Sequence, residues 1–160
     1  MTDNATRTVQ ELIRRGWTVS FAESCTGGLA CGRLVNVPDA SKVLDASFVT
    51  YANEAKIRLL GVKEETLTAH GAVSEETAFE MAEGICRANG AKVGVGISGI
   101  AGPGGGTPEK PVGTVCFGFC IDGKTTALTR RFPPEGRQEV RNAAVDFVFE
   151  TLCRLLEVSQ

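Results

Sequence analysis

Residues 17–28, Trp-Thr-Val-Ser-Phe-Ala-Glu-Ser-Cys-Thr-Gly-Gly, decide how the rest of the chain is read. Trp17 to Phe21 alternates apolar and hydroxyl side chains with the two-residue period of a strand. Gly28 to Val35 reads as a helix, so the residues between form a strand-to-helix junction. Such a junction lies at the carboxyl edge of a sheet, beside the unpaired N–H groups that open a helix. It presents Glu23, Ser24, Cys25 and Thr26. Gly27 and Gly28 let backbone and ligand approach closely, because neither carries a Cβ. The positive end of a helix dipole favours an anion, or a developing oxyanion, at that point.

Upstream, Asn4 or Thr6 can cap a first helix with Val9, Leu12 and Ile13 on one face and Gly16 as its stop. Downstream, Asn36-Val37-Pro38-Asp39 closes the second helix, and the latter part of residues 43–51 reads as a second strand. Asn53 can cap a short helix, Glu54 to Leu60, ended by Gly61. Ser74-Glu75-Glu76 opens a helix with Ala78, Met81, Ala82 and Ile85 as its apolar stripe and Gly90 as its stop. Val93 to Ile97, a small-residue strand fit for a central position, runs into Ser98–Gly106, where five of nine residues are glycine. Val112–Ile121 and Thr125–Phe132 flank a hairpin turn at Asp122-Gly123-Lys124, and a last helix runs from about Gln138 to Leu156. Five strands interleaved with helices predict a three-layer α/β/α sandwich on a mixed, mainly parallel five-stranded sheet. The loops after its first three strands then meet at one edge.

A chain of 160 residues fits one domain with its own core, and residues 1–160 are read as a single unit. A net charge of −2 excludes the broad cationic surface of a nucleic-acid binder but not a pocket with a few arginines. Six cysteines without a C-x-x-C pair, and His70 as the single histidine, argue against a metal site and against a disulfide framework. The first sixteen residues lack the apolar core of a signal peptide, and no run reaches membrane-spanning length. A cytoplasmic protein with no membrane or nucleic-acid partner is expected.

Ser24 as a nucleophile needs a base. A lysine whose pKa is lowered by partial burial can deprotonate serine, and a tyrosine can relay or orient the proton. Tyr51 at a strand tip and Lys56 in the following helix's first turn are placed for those roles. His70, between helices, reads more readily as a surface or packing residue. Cys25 is the rival nucleophile, but strand alternation points it away from Ser24 and toward burial. Ser24 and Thr26 as helix caps, with Lys56 on a solvated face, is the competing structural reading. The glycine loop matches neither G-x-x-x-x-G-K-[ST] nor G-x-G-x-x-G.

Four segments taken in order, AESCTGG (22–28), FVTYANEAKIRLLGV (48–62), HGAVSEETAFEMAEG (70–84) and ISGIAGPGGGTPEKPVGTV (97–115), resemble the nicotinamide-nucleotide amidase family. This is the C-terminal domain of the competence/damage-inducible CinA proteins, and the resemblance spans about residues 5 to 156 in what looks like the stand-alone form. It implies hydrolysis of the carboxamide of nicotinamide mononucleotide to nicotinic acid mononucleotide and ammonia, in pyridine-nucleotide recycling. It also implies an α/β/α fold, no metal or other cofactor, and a homo-oligomer, dimeric or larger. The family's catalytic serine, tyrosine and lysine fall on Ser24, Tyr51 and Lys56. In the same reading the Thr26, Gly27 and Gly28 amides stabilise the oxyanion, and Ser98, Gly99 and Gly102 line the nucleotide pocket. Arg137 or Arg141 would contact the phosphate. Where the family often shows Gly-Asp-Arg before the last helix, this chain reads Glu135-Gly136-Arg137. A catalytically silent nucleotide-binding regulatory module, or an amidase for another small carboxamide, are the alternatives.

Overall fold

A computed structural model describes residues 2–158. Its elements are α1 (Asn4–Arg15), β1 (Val19–Glu23), α2 (Leu29–Val35), β2 (Phe48–Val49), α3 (Asn53–Leu60), α4 (Glu64–His70), α5 (Glu75–Asn89), β3 (Val93–Gly99), β4 (Thr114–Ile121), β5 (Lys124–Arg131) and α6 (Arg137–Val158). The sheet order is β2-β1-β3-β4-β5. β1 pairs in parallel with both β2 and β3, and β4 runs antiparallel to β3 and β5. The expected three-layer mixed sandwich is therefore present, with β4 as the one reversed strand.

The two helical layers follow from strand alternation. Phe21, Val95, Phe117 and Phe119 face α1, α2 and α6, where Phe149 and Phe147 meet them; the Phe117 and Phe147 ring centroids are 4.8 Å apart. Ala22, on the opposite face of β1, joins Leu60, Val62, Met81 and Ile85 in a smaller cluster under α3 and α5. The small residues of β3 have a specific cause. A Cβ at Gly94 would meet the Ala82 carbonyl, and one at Gly96 or Gly118 the Ala78 carbonyl, so the missing side chains let α5 lie directly on the sheet.

Several boundaries differ from the sequence reading. Asp3, not Asn4 or Thr6, caps α1: its carboxylate accepts from the Thr6 N–H at 2.9 Å. Trp17 belongs to the exit of α1 rather than to β1, because its N–H donates to the Leu12 carbonyl in the turn closed by left-handed Gly16. Asn53 is the first residue of α3, after Ala52, and does not cap it. α4 was not anticipated; none of its seven residues is fully buried, so no apolar stripe marks it, and His70 is its last residue. Ser74 caps α5 as expected, accepting from the Thr77 N–H at 3.1 Å. Asp122 and Gly123 both take positive φ, forming the two-residue hairpin turn that pairs Ile121 with Lys124.

Candidate active site

β2, β1 and β3 run in the same direction, so the segments 24–28, 50–52 and 100–113 leave one edge of the sheet together. Ser24 stands just past β1, and its N–H donates to the Ile97 carbonyl of β3 at 2.9 Å. The turn from Ser24 to Gly28 needs φ of 55° at Gly27 and 105° at Gly28, values that a side chain disfavours. Its far end is fastened from beneath. The Glu23 carboxylate, 1% exposed, accepts from the N–H groups of Ala30 (2.9 Å) and Cys31 (3.0 Å). The free amides that open α2 are thus taken by the protein's own carboxylate, which corrects the expectation of a ligand anion there. Glu23 is a residue whose part the sequence reading missed; a carboxylate directly before a strand-to-helix turn is the local signal for it.

Arg141 of α6 holds the turn from the other side. Its Nε donates to the Cys25 carbonyl at 2.9 Å and its Nη2 to the Thr26 carbonyl at 3.1 Å. The Gly27 N–H donates to the Ser24 carbonyl, which removes it from the expected oxyanion donors. The N–H groups of Thr26 and Gly28 make no hydrogen bond among the described residues.

Lys56 enters from α3. It is 1% exposed, and its Nζ lies 3.1 Å from Ser24 Oγ, 2.8 Å from the Thr50 carbonyl and 3.1 Å from the Tyr51 carbonyl. Burial pushes this amine below the ordinary lysine range, partly offset by the neighbouring Cys25. The geometry of the three partners decides what a neutral amine does here. As an ammonium, Nζ donates to all three oxygens while the Ser24 hydroxyl donates to the Tyr51 carbonyl at 3.5 Å. A neutral amine keeps two N–H groups for the carbonyls, which only accept, and has its lone pair for the Ser24 hydroxyl. In that neutral state Lys56 can accept the Ser24 proton. Cys25 is buried, and its thiol is pushed up to about 12 by that burial, so no thiolate is at hand near neutral pH.

Tyr51 departs from expectation. Its carbonyl, not its phenol, touches Lys56; the residue is 58% exposed, and its hydroxyl accepts from Arg137 Nη2 at 3.1 Å. Arg137 Nη1 donates to the Gly102 carbonyl at 2.8 Å, so one guanidinium bridges the segments after β2 and β3. Ser98 is buried in β3. The smallness of Gly99 and Gly102 serves packing: added Cβ atoms would meet Val115 and Val112. Gly104, by contrast, has nothing within 4 Å of its would-be Cβ and faces open space. The hydroxyls of Thr26 and Thr50 are buried with no protein partner, which costs about 1–3 kcal/mol each, and such groups recur at functional sites. No cluster of metal-ligating side chains occurs among the described residues, and no described helix is long and apolar enough to cross a membrane.

Comparison with known proteins bears on the family and the fold. The family model of the CinA C-terminal domain matches residues 1–156. A CinA-like protein of Kosmotoga olearia is 50% identical over 149 residues, which are 92% of this chain and 36% of that protein. A Clostridium acetobutylicum protein named for competence-damage induction is 52% identical over 143 residues, 89% of this chain and 34% of its own. The chain thus spans about a third of the length of these curated relatives. Among solved structures, the competence/damage-inducible protein of Agrobacterium tumefaciens superposes with a TM-score of 0.92 at 44% identity, covering 95% of this chain and 93% of that one. The competence damage-inducible protein A of Klebsiella pneumoniae gives 0.93 at 36% identity over 99% and 100%. With the family model matched almost end to end and the fold shared with solved members, this chain belongs to the CinA C-terminal domain family.

Proposed function

We propose that this domain is an amidohydrolase that converts nicotinamide mononucleotide to nicotinic acid mononucleotide and ammonia. The observation that carries the reading is the buried Lys56 amine, 3.1 Å from Ser24 Oγ, with both of its neutral-state N–H bonds spoken for by backbone carbonyls. Lys56 takes the Ser24 proton as Oγ attacks the carboxamide carbon. The Thr26 and Gly28 amides, aided by the Gly27 turn, stabilise the resulting oxyanion; losing one such donor typically costs about 2.7–4 kcal/mol of barrier. The tetrahedral intermediate collapses as the leaving nitrogen gains a proton from the Tyr51 phenol, turned in from its place on Arg137, and the phenol recovers one from the Lys56 ammonium. Ammonia departs and an acyl-serine remains. Water, deprotonated by Lys56, attacks that ester and returns the Ser24 hydroxyl with release of the carboxylate product.

The segment Ser98–Gly106 borders the nucleotide, with Ser98, Gly99 and Gly102 setting its floor and Gly104 leaving room. Arg137 and Arg141 supply the positive field for the phosphate. No metal or cofactor takes part in this scheme. Ammonia release from nicotinamide mononucleotide by Ser24→Ala and Lys56→Ala is the direct test. Both variants should lose turnover, and near wild-type rates in both would refute the assignment. Thermal stabilisation by the mononucleotide without any ammonia from the wild-type protein would instead mark a silent binding module.

A further inference from the structure

Arg137 is an exposed cation with no carboxylate at ion-pairing distance among the described residues. Its partners are two neutral oxygens, the Gly102 carbonyl and the Tyr51 hydroxyl. Arg141 is differently committed: its Nε and Nη2 hold the nucleophile turn and its Nη1 donates to Gln138. An incoming oxyanion therefore meets a ready site at Arg137. A phosphate can accept two parallel N–H···O bonds from a guanidinium of opposite charge, against the single bond to a neutral phenol that it would replace. The phenol has somewhere to go. With its carbonyl 3.1 Å from Lys56 Nζ, the Tyr51 Cα lies within ~5.5 Å of that amine, a distance shorter than a tyrosine side chain.

We infer that Arg137 is a specificity-determining residue: a phosphate group on the substrate takes its guanidinium from Tyr51 and so releases the phenol to turn toward the Ser24–Lys56 pair. Recognition of the anion and completion of the proton path then become one event. A substrate lacking the phosphate leaves Tyr51 parked on Arg137 and reacts slowly. This inference rests on the amidase reading for its catalytic consequence, but the exchange of partners at Arg137 is observable without turnover.

Tyr51 is the single tyrosine of the chain, so 3-fluorotyrosine labelling gives one 19F resonance. Titration with inorganic phosphite should shift that resonance saturably in the wild-type protein. In Arg137→Met the resonance should start at a different position and ignore phosphite; Arg137→Lys, which keeps the charge without the two-pronged reach, should respond weakly. In parallel, phosphite should raise kcat/KM for nicotinamide riboside about tenfold or more in the wild type and not in Arg137→Met. A resonance that stays still in the wild type, or moves equally in Arg137→Met, overturns the inference. If the resonance moves as described while neither mononucleotide nor riboside yields ammonia, the amidase reading fails and the exchange at Arg137 stands.

Discussion

Gly84→Ala adds one methyl group to α5 at a point where a Cβ would stand 2.0 Å from the Leu60 carbonyl oxygen and 2.8 Å from its carbon. Ordinary contact begins at 3.4 Å, so α3 and α5 must part by about 1.4 Å. α5 is keyed onto the sheet through Gly94, Gly96 and Gly118 and has little freedom, whereas α3 has eight residues and ends in a loop; α3 yields. Leu60 lies one turn beyond Lys56 on the same short helix, and the Lys56 carbonyl accepts from the Val62 N–H at the helix end. A displacement of that size carries Lys56 Nζ from 3.1 Å to beyond hydrogen-bonding range of Ser24 Oγ. Misplacing a catalytic group by ~1 Å costs on the order of 10²-fold in rate, and the strain should cost about 1–3 kcal/mol of stability. The assay is ammonia release from nicotinamide mononucleotide together with thermal melts of both proteins. Gly32→Ala is the control, because nothing lies within 4 Å of its would-be Cβ in the exposed face of α2. It should stabilise by about 0.5–1 kcal/mol and leave turnover alone. A Gly84→Ala protein that melts lower yet turns over at the wild-type rate would show that this helix contact does not locate Lys56.

Glu23→Gln leaves one acceptor for the α2 amides and turns an N–H₂ group against the other; a loss of about 1.5–3 kcal/mol in urea unfolding is expected, with kcat falling and KM held. A raised KM with unchanged kcat would mean that the carboxylate shapes binding rather than the nucleophile turn. Cys25→Ala should keep turnover, and iodoacetamide should not inhibit the wild type, since the thiol is buried and pushed up to about 12; inactivation matching that of Ser24→Ala would exchange the two roles. Lys56→Met supplies the pH test. The folded amine titrates below its ordinary value of 10.5, so between the lowered pKa and 10.5 the unfolded chain binds more protons. The wild type therefore gains stability relative to Lys56→Met as pH rises through that window, and below it the difference is constant. Paired denaturant melts across alkaline pH measure this, and a flat difference would contradict the burial of the amine.

The parts of the fold legible from the sequence were those written in local pattern. Ser74 before two glutamates, glycine after the last turn of α1, α3 and α5, and Asp122-Gly123 between two strand runs all act within a few residues. α4 was hidden for the complementary reason, since it buries no residue fully; β2 falls in the latter part of residues 43–51 as read, but its two-residue extent is set by its pairing with β1 and not by its own composition. At the site, the junction at Ser24 and the approach of Lys56 follow from strand order. The placement of the Tyr51 phenol does not, because its partner Arg137 is 86 positions away and nothing near either residue encodes the pair. The grip of Arg141 on Cys25, 116 positions apart, is hidden in the same way.

The restraints on Lys56 come mostly from backbone, and that shifts attention to the shortest strand. Two carbonyls, those of Thr50 and Tyr51, accept from its Nζ and hold it beside Ser24 Oγ. Those carbonyls are in place because β2 pairs Phe48 with Ala22 and Val49 with Glu23, and because the Thr50 N–H donates to the Glu23 carbonyl at 2.9 Å. β2 is an edge strand with Val49 and Tyr51 about half exposed; Phe48 packs on the smaller cluster, and the Ala46 carbonyl and Ser47 hydroxyl just before it accept from Ser20 and the Phe21 N–H. Substitution of the Thr50 or Tyr51 side chain leaves the carbonyls standing, whereas a proline at position 50 deletes the N–H that holds the segment to β1. In the proposed mechanism, proton transfer at Ser24 thus depends on the register of a two-residue edge strand more directly than on any side chain of that strand.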